Sequence, residues 1–381
     1  MSEPVIYKGR GNPEMYDDFM DFINYVFGFN GNESDFKKLL PKLYKPEYDP
    51  AYNNYVVTEN GKLKAAIGAY DSEFSVCGET LKCRGIGNVA VHPYSRSKGY
   101  MIDCMNLALR DMIADGVDFS MLGGQRQRYQ HFGFDYTGQV YNMHVNHTNL
   151  RHNFRDVPFT ELELKEVGED DVELIQKMHD LHATRPMHAI RPTEQFLDIA
   201  RSWRTPVRAI LKDGEFRGYF VGDLQELTLA DPEDLYDVIR NYVRSFGSVT
   251  IRVPAWDTRT YAAVAKICDG ISIEHSEMYN IFNYKKFVSA LLKLKASYEV
   301  LGDGELTLFI HGYAGDCRLR LCVRDNEVSV EDYAGECDLE LSHMEAMEFL
   351  FGIHSARWLS LTPSVRSWFP LPLYVEPADH V

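Results

Sequence analysis

The stretch Asn88-Val89-Ala90-Val91-His92-Pro93-Tyr94-Ser95-Arg96-Ser97-Lys98-Gly99-Tyr100-Met101 joins three features that suit one chemistry. An apolar run of strand character ends, a basic turn containing a glycine follows, and an amphipathic helix begins at once. The first N–H groups of a helix have no partner within it, and the helix dipole favours negative charge there. Arg96 and Lys98 add full positive charges, and Gly99 lets a phosphate come close to the backbone. The pattern describes an anion site whose obvious guest is a pyrophosphate. Further on, Arg126-Gln127-Arg128-Tyr129-Gln130-His131-Phe132-Gly133-Phe134 gathers two arginines, a tyrosine and a Phe-Gly-Phe turn. Arg126 and Arg128 are further candidates for contact with a phosphate.

These residues need a scaffold, and the surrounding pattern supplies one. Upstream, Asn12 suits a helix N-cap, Pro13 the first helical position and Gly28 the end, with Phe19, Phe22, Ile23 and Val26 on one face. Strand signals follow over 55–58, an Asn60-Gly61 hairpin turn, then 63–70. A third run over 74–77 turns at Gly78-Glu79 into a fourth over 81–91. The spacing of Ile102, Met105, Leu109, Met112 and Ile113 predicts a helix over 101–115. A short strand over 119–122 then runs into Gly123-Gly124. Hairpins feeding a strand, a helix and another strand make a mixed α/β sheet.

A second segment echoes the first: a helix over 170–180, strands over 208–211 and 216–221 around Asp213-Gly214, a helix over 234–246 and a strand over 249–253. That last strand runs into Pro254-Ala255-Trp256-Asp257-Thr258-Arg259, a turn without glycine. A third segment changes character. A short helix over 284–292 precedes strands over 305–310, 317–324, 327–331 and 337–341, expected as an antiparallel meander. A Ser342–Glu345 capping box starts a helix through Phe351, another helix lies near 362–368, and a proline-stiffened tail runs from Pro370 to Val381. Three domains are expected, over 1–150, 151–285 and 286–381.

Composition bounds the function. Of 381 residues, 45% are hydrophobic, 13% aromatic and 25% charged, which is ample material for cores and excludes disorder as the dominant state. Lys plus Arg is 40 against 56 for Asp plus Glu, a formal net charge of −16. Such a surface repels nucleic acid and anionic lipid and draws in cationic small molecules or basic peptides. Seven cysteines without a CxxC pair read as free thiols, with neither a disulfide framework nor a zinc site. The polar start carries no signal core, and no run reaches the roughly 18 apolar residues of a membrane span. A cytoplasmic chain, intact from Met1 to Val381, is the expectation.

Taken together, the two motif stretches resemble the GNAT superfamily of acetyl-CoA-dependent N-acetyltransferases. The R-x-x-G element Arg96 to Gly99, the preceding V-x-V-x-P of Val89 to Pro93 and the later Y-x-x-F-G-F of Tyr129 to Phe134 stand in that family's order and spacing. Met101 takes the place of the family's usual second small residue. Over the whole chain the resemblance is to the Eis-like (enhanced intracellular survival) subgroup. It implies an α+β, mixed α/β fold: a catalytic GNAT domain, a degenerate second one, and a domain similar to sterol carrier proteins whose tail reaches the active site.

The resemblance also implies roles. Acetyl-CoA is the co-substrate, one per chain, and no metal is needed. Backbone groups of Val89 and Val91 hold the pantetheine arm and polarise the thioester carbonyl, and Arg96, Ser97, Lys98, Gly99, Tyr100 and Met101 hold the pyrophosphate. Tyr129 gives a proton to the leaving thiolate. Residues 84–91 contain no carboxylate, and the Eis-like resemblance implies that the base is the chain's own terminal carboxylate at Val381, with Asp379 or His380 not separable from it. The acceptor is a polyamine, an aminoglycoside-like amine or a lysine-bearing cation. Asp17, Asp18, Asp21 and Tyr25 either contact it or form a solvated helix face, and His92 is structural or at the rim. Two alternatives stay open: transfer of a longer acyl chain, and lipid or acyl binding by the third domain. A homo-oligomer, hexameric by resemblance, is expected.

Overall fold

The hairpin signals become the long strands of the main sheet. Asn60 and Gly61 adopt φ of 51° and 77°, the twist that a two-residue turn needs between antiparallel strands. In the computed structural model, which describes residues 3–29 and 35–381, this turn joins Asn54–Glu59 to Lys62–Val76. The expected strands over 63–70 and 74–77 are one strand, because Asp71 and Arg84 pair across the ladder instead of breaking it. The next turn is Cys77-Gly78, one residue earlier than expected, with φ of 49° and 82°. It leads into Glu79–Val91, called the motif strand below.

The main sheet runs Ile6–Arg10, Asn54–Glu59, Lys62–Val76, motif strand, Phe119–Leu122, Glu277–Ile281, Asp135–Thr137, with Met187–Ala189 attached to Lys62–Val76. The motif helix, Tyr100–Ala114, lays Cys104, Met105, Ala108, Leu109 and Met112 on one side of it. The helix at Tyr16–Gly28 buries Phe19, Met20, Phe22 and Ile23 on a separate core. It begins as a 3-10 turn at Pro13–Met15, and Asn12 makes no side-chain cap.

A second sheet orders Glu226–Leu229, Glu215–Val221, Val207–Lys212 and Glu163–Glu166. A third joins Ser248–Pro254, Val140–Asn146 and Gly270–Glu274. Strands are exchanged across the expected boundary at 150/151: Val140–Asn146 lies between two strands of the second segment, and Glu277–Ile281 lies inside the main sheet. Loop lengths give no hint of such an exchange.

In the third segment Gly304–Gly312, Gly315–Arg324 and Glu327–Asp332 are antiparallel as expected. The fourth strand, Leu339–Ser342, corrects the meander: it crosses over to pair in parallel with Gly304–Gly312. The crossover lets Ser342 cap the helix His343–Phe351, where its side chain and that of Glu345 form a capping box. The helix Tyr284–Tyr298 is longer than the sequence suggests. Trp368, Leu371, Leu373 and Val375 bury the start of the tail in the core shared with this sheet. Among the described residues no helix is long and apolar enough to cross a membrane.

Candidate active site

The motif strand is paired with Phe119–Leu122 only from Cys83 opposite Phe119 to Ile86 opposite Leu122. Beyond Ile86 the short partner has ended, so the motif strand continues to Val91 with that edge open. On its other side the register slips: Gly68 faces Gly87 and Ala66 faces Ala90, so Ile67 alone stands opposite Asn88 and Val89. This is a β-bulge, and Asn88 takes a φ of 36° within it. The Asn88 side chain fixes the distortion. Its Oδ1 accepts from the Tyr44 hydroxyl at 2.7 Å and the Tyr70 hydroxyl at 2.9 Å, and its Nδ2 donates to Asn54 Oδ1 at 2.7 Å. Burial pushes the Tyr70 phenol up to about 12 and the Tyr44 phenol upward as well, so both remain donors at neutral pH.

A cavity of about 550 Å³ opens at the bulge, lined by Gly87, Asn88, Val89, Tyr129, His380 and Val381 among others. Tyr129 ends the short helix Arg126–Tyr129 and is 5% exposed. Gly124 makes room for its ring, since a Cβ there would lie 3.0 Å from Cε2. Burial pushes the Tyr129 phenol upward, against the neighbouring Arg128 guanidinium, which leaves it a protonated donor. Val381 sits on two glycines. A Cβ on Gly85 would lie 2.6 Å from Val381 Cγ2, and one on Gly87 would lie 3.4 Å from the Val381 carbonyl carbon.

The tail reaches this seat through buried polar contacts, most of them with the second segment. Arg191 binds Asp379 through Nε at 2.8 Å and Nη2 at 2.9 Å, and binds Glu226 at 2.9 and 2.7 Å. Glu376 accepts from Arg185 and, at 2.9 Å, from the Tyr374 hydroxyl. The buried Lys42 Nζ donates to the carbonyls of Ala378 at 2.6 Å and His380 at 2.5 Å. Burial pushes this amine down to about 7, with Asp379 opposing the shift and Arg191 adding to it. For Asp379 burial works upward, but the Arg191 guanidinium outweighs it and the carboxyl titrates low. Asp379 is therefore an anchor of the tail and is not among the residues that line the cavity. His380 Nδ1 lies 3.2 Å from Glu277 Oε2.

The expected pyrophosphate turn leads from the end of the motif strand into the motif helix. Ser97 and Gly99 take φ of 68° and 81°, and nothing lies within 4 Å of where a Gly99 Cβ would stand. Gly99 is the N-cap and gives no side-chain cap, so the first amides of the helix keep their donor capacity. Arg96, Ser97, Lys98 and Gly99 are exposed. Lys98 is not a free cation: its Nζ binds Glu59 Oε1 at 2.7 Å, and the Tyr100 hydroxyl binds the same oxygen. Met101 and Val91 are half-buried against the core, and of the two motif valines Val89 alone lines the cavity. Arg126 is held by Asp135 at a different face, whereas Arg128 lines the cavity. Asp17, Asp18 and Asp21 are exposed and line no part of it, while Phe27 of the same helix does. His92 packs between Tyr25 and Tyr94, with ring centroids 5.5 and 5.8 Å away.

Glu226, Glu277, Arg191 and Lys42 carry no motif, and sequence reasoning misses them. Glu277 reaches the cavity only because its strand is inserted into the main sheet. Among the described residues no group of His, Cys, Asp and Glu is arranged to hold a metal ion.

Residues 10–137 match the family described as acetyltransferase (GNAT) domain. No curated protein matches the sequence. The chain is similar over its length to a solved structure of a conserved protein of unknown function from Enterococcus faecalis, a probable N-acyltransferase, at 14% identity, 100% coverage of both chains and a TM-score of 0.67. It is similar to a GCN5-related N-acetyltransferase from Kribbella flavida at 15% identity, 99% coverage of both chains and a TM-score of 0.66. It is also similar to Eis1 from Mycobacterium abscessus at 12% identity, covering 99% of this chain and 100% of that one, with a TM-score of 0.60. Those likenesses carry the fold. The domain match makes the chain an acyltransferase with a GNAT acetyltransferase domain, a kind of domain that uses acetyl-CoA as co-substrate. The open strand edge beyond Gly87 and the uncapped helix start at Gly99 fit that molecule.

Proposed function

We propose that this protein transfers the acetyl group of acetyl-CoA directly to a primary amine of a cationic acceptor, a polyamine, an aminoglycoside-like amine or a lysine-bearing peptide. The observation that carries the reading is the meeting of Val89, Tyr129 and Val381 in one cavity, although they lie far apart in the chain.

Acetyl-CoA supplies the activated acetyl thioester. Backbone amides from Arg96 to Met101, more than the Lys98 side chain already bound to Glu59, hold the pyrophosphate. The open edge at Val89 holds the pantetheine arm, with Val91 beyond it. The Val381 carboxylate takes a proton from the acceptor ammonium, which gives the neutral amine that attacks. Tyr129 returns a proton to the thiolate as it leaves. The Glu277 carboxylate in the cavity wall and the net charge of −16 favour a cationic acceptor.

The test is thiol release from acetyl-CoA against a panel of polyamines, aminoglycosides, lysine peptides and arylalkylamines, with the C-terminus left native. Tyr129→Phe is expected to lower kcat by roughly 100-fold or more with acetyl-CoA affinity unchanged. Unchanged turnover in that variant contradicts the proton-donor role. Residues appended after Val381 are expected to lower kcat in the same way.

A further inference from the structure

The second segment holds a cavity of about 400 Å³ that the chemistry above does not use. It lies where the strand Ser248–Pro254 turns into the short helix Thr258–Val264. Four of its lining residues carry a buried side-chain polar atom without a hydrogen-bond partner: Arg185 Nη1, Thr228 Oγ1, Arg252 Nε and Trp256 Nε1. Three of these atoms can only donate and the fourth can. Buried donors are nearly always paired, and each unpaired one is costly, so four around one cavity point to an acceptor that belongs there.

The charges in the wall sharpen the identity of that acceptor. Arg185, whose side chain is 8% exposed, binds Glu376 through its other nitrogen, and its ring-side neighbour is Trp256, 5.3 Å away. Glu226 lies 4.0 Å from Arg185 Nη1, too long for a hydrogen bond. Asp257 is engaged by the Thr260 amide at 3.0 Å, and Glu233 is paired with Arg259 at 2.5 Å. Arg252 has no ion pair among the described residues, so it is the one uncompensated cation of the wall. The rest is apolar, with Leu227, Leu229, Ile251 and Ala263.

We propose that this cavity binds a small monocarboxylate with an apolar body. Its carboxylate meets Arg252 Nε, Arg185 Nη1, the Trp256 indole N–H and the Thr228 hydroxyl, and its body rests on the leucines and Ile251. One guanidinium free of an ion pair, in a wall where Asp257 is likewise without a cation among the described residues, and no glycine in the turn suit a single carboxylate better than a pyrophosphate.

Titration calorimetry of the full-length protein with hexanoate and benzoate, their neutral amides, and inorganic phosphate tests this directly. At least one of the two carboxylates is expected to bind at one per chain, with its amide roughly tenfold or more weaker. Arg252→Gln is expected to weaken that carboxylate by at least about tenfold while the circular dichroism stays that of the parent. If that variant does not fold, Trp256→Phe takes its place, with the same direction expected. Silence from both carboxylates, equal binding of the amides, tighter binding of phosphate, or an unaffected folded variant would overturn the proposal. Binding is read without turnover, so the result stands whether or not acetyl transfer is found.

Discussion

Two strand–turn–helix units occupy corresponding places in the first two segments, and they part at the helix start. In the first, Gly99 caps the motif helix with no side chain, and the turn holds two residues at positive φ. Fifteen residues of helix follow. In the second, the Asp257 carboxylate accepts from the Thr260 amide at 3.0 Å and the helix runs for seven residues. A carboxylate of the chain already stands where an outside anion would bind, on a shorter helix. On the proposed reading the first unit receives a phosphate and the second does without one. What the second segment does provide is Arg185, Arg191 and Glu226, which hold the tail that ends beside Tyr129.

The largest effect is expected from breaking that clamp on the tail. Arg191→Gln leaves Glu226 and Asp379 buried without their shared cation, a loss of about 3–5 kcal/mol in urea unfolding. Any folded fraction should show a reduced kcat with acetyl-CoA affinity unchanged; loss of both together would mean that the second segment shapes the cofactor site. Next comes the seat of the tail in the first segment. Gly85→Ala places a methyl where Val381 Cγ2 now lies 2.6 Å away, and steady-state kinetics should show kcat lowered about tenfold with acetyl-CoA affinity retained. Wild-type kcat in that variant would separate Val381 from the chemistry. The smallest effect is the share of the pH dependence that His182 of the clamp carries. Burial pushes His182, beside Glu226, from 6.5 down to about 4. Between those values the unfolded chain binds more protons, so stability is full above pH 6.5 and falls as the pH drops toward 4, by roughly 1 kcal/mol at pH 5.5. Unfolding curves at pH 8 and pH 5.5 measure it, and His182→Gln should shrink the difference by that amount, leaving the share of Lys42, whose amine burial pushes down to about 7.

The motif unit was legible because its cues are local. An apolar run of strand character, a basic glycine turn and a 3.6-residue period lie within one short stretch, and the hairpin glycines around it announce their own φ. The cavity as a whole was not legible, because its walls come from register and topology. The bulge at Asn88 depends on partners at Tyr44, Tyr70 and Asn54, none of which signals a polar network in sequence. Glu277 needs its strand to leave the second segment for the main sheet. That Asp379 anchors the tail shows only once Arg191, nearly two hundred residues away, is seen to bind it. The parallel crossover of Leu339–Ser342 is invisible for the same reason, since strand propensity says nothing about which neighbour a strand chooses.

The central claim is that one turn of this molecule, and not its echo, receives the cofactor. Titrating acetyl-CoA into the wild-type chain, Gly99→Val and Ala255→Val tests it most directly. One acetyl-CoA per chain, weakened roughly 100-fold by the valine at Gly99 and untouched by the valine at Ala255, is the predicted result. Two per chain, or a loss that follows Ala255, would contradict it.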